Sequence, residues 1–184
     1  MKFLKFLIII SISLTTSIKA DLDKDLMNQL EDGEKLIFIR HAYAPGSGDP
    51  SNFNLNDCST QRNLSEEGKK QAQKIGEFFT NNNIKIDKVF SSEWCRCKET
   101  AEIAFNNYST KNFLNSFYSS KYAKNKTKQI EELNNYIQKL KNSKNLVFVT
   151  HYVLISEVLN FAPSSGEIVV SDKNLNMIGS IKIN

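Results

Sequence analysis

Lys35-Leu36-Ile37-Phe38-Ile39-Arg40-His41 is the stretch that decides the fold. Four apolar residues in a row run into an arginine and a histidine, and the pattern then breaks into Ala42-Tyr43-Ala44-Pro45-Gly46-Ser47-Gly48. A short, wholly apolar run bounded by turn residues reads as a strand buried on both faces of a sheet. Polar residues at the carboxyl end of such a strand stand where open α/β sheets bind ligands. The chain has two histidines, and the second closes a matching run, Asn145-Leu146-Val147-Phe148-Val149-Thr150-His151. Two buried strands thus deliver a histidine each to one sheet edge.

Working outward, leucines at 22, 26 and 30 predict a helix over 21–32, stopped by Gly33. Residues 41–63 form a long loop rich in Gly, Pro, Ser, Asn and Asp. It leaves directly from His41, so it is expected to wall the site. Ser65 is a good N-cap, and Glu66 and Glu67 sit where a helix N-terminus favours acids; apolar or small residues at 68, 72, 75, 76 and 79 give that helix one buried face. A strand over 84–90 and a helix over 94–106 follow. Residues 108–127 carry little pattern beyond a short strand at Phe113-Leu114. A helix over 128–140, the second histidine strand, a helix over 152–161 and two alternating segments, 167–171 and 177–183, complete the chain, the last pair as an antiparallel edge. No repeat or second domain emerges. Alternating strands and helices predict an α/β three-layer sandwich, with a mostly parallel central sheet flanked by helices, as one domain over 21–184.

Residues 1–20 read as a secretory signal peptide. Lys2 and Lys5 make a basic start, 6–14 an apolar stretch too short to span a bilayer, and Ala20 a small residue at the cut. Cleavage removes Lys2, Lys5 and Lys19 and no acid, so the net charge falls from +4 to +1. That leaves no basic face for nucleic acid and no stable membrane insertion after cleavage. The expected location is periplasmic or secreted. In such an oxidising compartment Cys58, Cys95 and Cys97 predict one disulfide, from Cys58 to Cys95 or Cys97, with one thiol left over. Neither a CxxC nor an HxxxH spacing is present, which argues against a metal site.

Four segments carry a family resemblance. They are Ile39-Arg40-His41-Ala42, Asn63-Leu64-Ser65-Glu66-Glu67-Gly68, the run from Ser91 to Ala101 (SSEWCRCKETA), and Val149-Thr150-His151. In this order, on these elements, they resemble the histidine phosphatase superfamily, the phosphoglycerate mutase-like fold. Ala42 stands where the family's Arg-His-Gly motif has glycine. The resemblance implies a phosphomonoesterase that needs no metal or cofactor and acts on a small phosphate ester. His41 would be the nucleophile, Arg40 and Arg96 would grip the phosphate, and His151 would donate a hydrogen bond to it.

The chemistry agrees with that assignment. A neutral imidazole nitrogen can hold a covalent phosphoryl group and so split one difficult step into two. Guanidinium forks onto phosphate oxygens and stays charged. Arg62 reads equally as a pocket residue or as a surface ion pair, and Trp94 as packing. The family's proton-donating carboxylic acid commonly follows the second motif helix, yet residues 103–130 contain no Asp or Glu. Glu93 and Asp49 are the candidates. This departure leaves a second reading, a catalytically weak phosphoryl-ligand-binding protein of the same fold; a thiol protein using Cys95 or Cys97 is the third.

Overall fold

The computed structural model describes residues 24–141 and 143–183, so the signal-peptide reading falls on residues outside those described. Six strands form one sheet: β1 (Leu36–Arg40), β2 (Ile86–Ser91), β3 (Ser109–Thr110), β4 (Asn145–Thr150), β5 (Ile168–Ser171) and β6 (Met177–Ile181), in the order β3-β2-β4-β1-β5-β6. The first four in that order run parallel, β5 is antiparallel to β1, and β6 is antiparallel to β5. The sheet is therefore mostly parallel with an antiparallel edge. The helices are α1 (24–32), α2 (Glu66–Asn81), α3 (Cys95–Phe105), α4 (Ser120–Ala123), α5 (Lys126–Gln138) and α6 (Tyr152–Leu159).

Alternation along the strands divides the core in two. Ile37, Ile39, Val147 and Val149 pack toward Leu26 and Leu30 of α1, Ile75 and Phe79 of α2 and Ala101 of α3. Leu36, Phe38, Leu146 and Phe148 pack toward Leu133 of α5 and Leu154 of α6 on the opposite face. Every residue of β4 is buried. That is why β1 and β4 read as continuous apolar runs rather than alternating ones. At their amino ends buried Asn145 ties the layers: its Nδ2 donates to Leu30 O at 2.7 Å and its Oδ1 accepts from Lys35 N at 3.1 Å.

Ser65 caps α2, its hydroxyl accepting from Gly68 N at 3.2 Å. Gly68 has a second duty. A Cβ there would sit 2.0 Å from the Tyr43 carbonyl oxygen, so only glycine lets α2 lie against the segment that follows His41. Within the weakly patterned region, the strand expected at Phe113-Leu114 is instead a 3-10 turn, Asn112–Leu114, and the edge strand falls earlier, at β3. Phe113 and Leu114 are both buried in the same core, which a strand's alternation would prevent; β3 is exposed at both residues and leaves no apolar trace.

Candidate active site

β1, β2 and β4 run parallel, so their carboxyl ends meet at one edge. Backbone bonds continue past the strands there: His41 N donates to Thr150 O, and Ser92 N to Val149 O, each at 2.9 Å. The two histidines come together, ring centroids 5.6 Å apart and edge to face, each only 3 % exposed.

Hydrogen bonding fixes the state of His41. Its Nδ1 lies 2.8 Å from the Ala42 carbonyl oxygen. A carbonyl only accepts, so Nδ1 carries the proton and Nε2 of the neutral ring holds a lone pair. Arg96 Nε donates to that Nε2 at 3.2 Å. Burial above all, then the positive charge of Arg96, holds the imidazole pKa well below 6.5; the Ala42 bond pulls the other way, and Arg62 and Arg40 add smaller lowering effects. The ring is uncharged, with its Nε2 lone pair turned to Arg96.

His151 is engaged at Nε2, 2.9 Å from Ser92 Oγ and 3.5 Å from Cys97 Sγ. Burial, then Arg96 and the His41 neighbour, lower its pKa well below 6.5 also. Ser92 Oγ in turn donates to Asn115 Oδ1 at 3.1 Å, and Asn115 Nδ2 donates to Glu93 Oε2 at 2.6 Å.

Arg96 is held by Asp49. Its Nη1 lies 2.7 Å from Asp49 Oδ1 and its Nη2 3.3 Å from Oδ2. Trp94 Nε1 donates to Oδ2 at 3.1 Å and Arg62 N to Oδ1 at 3.1 Å. Every partner of the carboxylate is a donor, so a protonated form would set hydrogen against hydrogen. Burial raises the Asp49 pKa, but the Arg96 bond and charge, with the Arg62 and Trp94 bonds, outweigh it and leave the carboxyl below the usual range.

A cavity of about 300 Å³ opens above these groups, lined by both histidines, Arg40, Arg62 and Arg96 and walled by the loop after His41. Arg40 Nη1 donates to Pro163 O at 2.9 Å, while its Nε is buried without a partner. Arg62 braces the loop, Nε donating to Gly48 O at 2.8 Å and Nη1 to Ala44 O. It is a pocket residue that holds carbonyls. Trp94 is packing, stacked on Phe53 with centroids 5.1 Å apart and edge-on to His151 at 5.4 Å. Of the two acid candidates, Asp49 is the one carboxylate lining the cavity among the described residues, and Glu93 pairs with Asn115 outside the lining.

Cys58 and Cys95 form the disulfide, tying the loop to the start of α3 one residue before Arg96. Cys97 faces the interior, and burial pushes its thiol up to about 12. It stays protonated, which removes the thiolate that the thiol reading requires. Among the described residues no group of three or more His, Cys, Asp or Glu side chains could hold a metal ion. Composition pointed to the histidines and arginines; Ser92, Asn115 and Ser116, which also lines the cavity, had no signal beyond lying near a motif.

The model of the histidine phosphatase superfamily (branch 1) matches residues 36–133, more than half of the chain. The chain belongs to the histidine phosphatase superfamily. Solved structures share the superfamily's fold with it. TTHB049 from Thermus thermophilus aligns with a TM-score of 0.58 at 16 % identity, over 82 % of this chain and 96 % of that one. The protein histidine phosphatase SixA complexed with tungstate gives 0.56 at 15 %, over 78 % and 92 %. Phosphoglycerate mutase from Thermus thermophilus gives 0.54 at 16 %, over 82 % and 99 %. Among curated proteins none matches the chain by sequence. At these identities the solved structures show the fold, and the reaction of this member rests on its own site.

Proposed function

We propose that this superfamily member is an exported phosphomonoesterase that needs no metal and works through a phosphohistidine at His41. The observation that carries the reading is the protonated Nδ1 of His41, locked on Ala42 O, with the Nε2 lone pair beside Arg96. Nε2 attacks phosphorus, the phosphorus–ester oxygen bond breaks, and the leaving oxygen departs with the electron pair. Water then attacks phosphorus and the nitrogen–phosphorus pair returns to Nε2. Arg40, whose buried Nε lacks a partner, and Arg96 bind the phosphoryl oxygens and stabilise the charge that develops there. His151 lines the same cavity beside His41, its Nε2 held by Ser92 Oγ. SixA is described as a protein histidine phosphatase; a phosphoramidate is therefore one substrate type to assay. Export to the periplasm or beyond is supported by the charge and apolar pattern of residues 1–20.

A second reading keeps the fold and loses the turnover. It is favoured by one observation: Asp49, the cavity's carboxylate, has no proton to give. The weak phosphoryl-ligand binder and the enzyme separate in one experiment. The protein without residues 1–20 is mixed with ³²P-labelled phenyl phosphate in chelator, beside His41→Ala. The enzyme forms an acid-labile adduct that the variant lacks, and releases phosphate. Binding of vanadate with no adduct and no phosphate release establishes the binder.

A further inference from the structure

Two features of the cavity remain after the phosphoryl site is assigned: Asp49, its one lining carboxylate among the described residues, has no proton to give, and its mouth is aromatic. Among the described residues four large apolar side chains stand well exposed, Tyr43, Tyr118, Tyr152 and Met177. Two of these, Tyr118 at 63 % and Tyr152 at 42 %, line this cavity. Phe53 and Tyr122 line it as well, their rings 5.9 Å apart and both packed on Trp94, at 5.1 and 5.6 Å. The aromatic wall is thus braced from behind on Trp94, which is itself edge-on to His151. Arg40 stands over the Tyr152 ring at 5.6 Å and Lys121 over the Tyr122 ring at 5.4 Å, which leaves Tyr118 as the most exposed ring of the mouth, and aromatic faces prefer aromatic partners.

The acid side points the same way. Both oxygens of Asp49 accept from Arg96, and from Arg62 N and Trp94 Nε1. The segment that roofs the cavity contributes Ser116, Tyr118, Ser119, Lys121 and Tyr122 to it, hydroxyls and an amine but no carboxylate. An alkoxide leaves poorly from such a site, because Asp49, the one carboxylate lining the cavity among the described residues, has no proton to give as the bond breaks. A phenoxide leaves readily, because the ring delocalises its charge.

We infer that the substrates are aryl phosphomonoesters, the ring seated against Tyr118, Tyr122 and Phe53 and departing from phosphorus as a phenoxide. This rests on the phosphohistidine reading above. Nε2 of His41 forms its bond to phosphorus as the aryl oxygen takes the electron pair of the breaking bond. The phenoxide picks up a proton from solvent, and water releases phosphate from His41. The net reaction is aryl phosphate plus water to phenol plus phosphate.

Three substrates test it on the protein without residues 1–20: phenyl phosphate, cyclohexyl phosphate of similar size, and acetyl phosphate, which has a good leaving group but no ring. The expected kcat/KM for phenyl phosphate exceeds that for cyclohexyl phosphate by about 10²- to 10⁴-fold, the range an absent general acid leaves. Tyr118→Ala raises KM for phenyl phosphate about 2- to 10-fold, more than for acetyl phosphate, and Tyr118→Phe restores it. Cyclohexyl phosphate turned over within tenfold of phenyl phosphate overturns the inference while leaving the phosphohistidine mechanism standing. A Tyr118→Ala enzyme with equal changes on both good leaving groups overturns the seat for the ring. Inertness toward all three, with no adduct on His41, removes the enzymatic reading itself.

Discussion

Arg96 Nε donates to His41 Nε2 at 3.2 Å, the one ring nitrogen that the Ala42 carbonyl leaves without a proton. A cation on the lone pair of a nucleophile keeps that lone pair free of a proton until the phosphate arrives to take the cation's donors. The same guanidinium is anchored on Asp49, so His41, Arg96 and the loop are one hydrogen-bonded unit.

That unit adds to the effect of burial on the titration of His41. With two histidines in the chain, NMR resolves each ring once His151→Gln identifies its partner. The His41 resonance is expected to titrate well below pH 6.5. Arg96→Met removes the second-largest cause of the shift and leaves the largest, burial; the midpoint should move up without reaching 6.5. A midpoint unmoved in Arg96→Met would mean that the charge of Arg96 does not act on the ring.

Stability should fall in acid for the same reason. His41 and His151 both have folded pKa values below the unfolded value near 6.5, so below that pH the unfolded chain binds more protons than the folded one. Their contribution is fully present above about pH 6.5 and is lost as the pH falls from there toward the folded values. Each histidine lowers stability by about 1.4 kcal/mol per pH unit in that window. Urea titrations at pH 7.5 and 5.5 should show the loss, and His151→Gln should remove about half of it.

Asp49 is expected to act by holding Arg96. In Asp49→Asn one amide hydrogen faces a donor already present at Arg96 or Trp94, and the arginine shifts. The expected fall in kcat/KM is about 10²-fold, as for a misplaced catalytic group. It should be equal for phenyl and acetyl phosphate, because positioning is upstream of the leaving group. A loss confined to the poorer leaving group would instead make Asp49 the proton donor.

The disulfide closes a loop of sequence separation 37 across the His41 wall. Cys58→Ser with Cys95→Ser should cost about 4 kcal/mol by the loop-entropy relation, read as a lower urea midpoint. Activity measured well below that midpoint should also fall, because Cys95 precedes Arg96 and the loop carries Asp49. Retained activity with the full stability loss would confine the bridge to a structural role.

What the sequence by itself determined was whatever local chemistry repeats along the chain. The apolar runs into His41 and His151 specified two strands buried on both faces, and Ser65 with Glu66 and Glu67 specified where α2 begins. The superfamily was legible because its motifs sit at strand and helix ends. Tertiary structure alone decided which of Cys95 and Cys97 pairs with Cys58. Two residues apart on α3, their side chains point about 200° apart, one toward the loop and one toward the sheet. It alone brought Asp49 onto Arg96, 47 positions away. It alone placed residues 108–125, where an exposed two-residue strand and a 3-10 turn carry no period to read. These outcomes depend on the path of a loop through space, and a loop's path is set by the distant groups it finds, not by its own pattern.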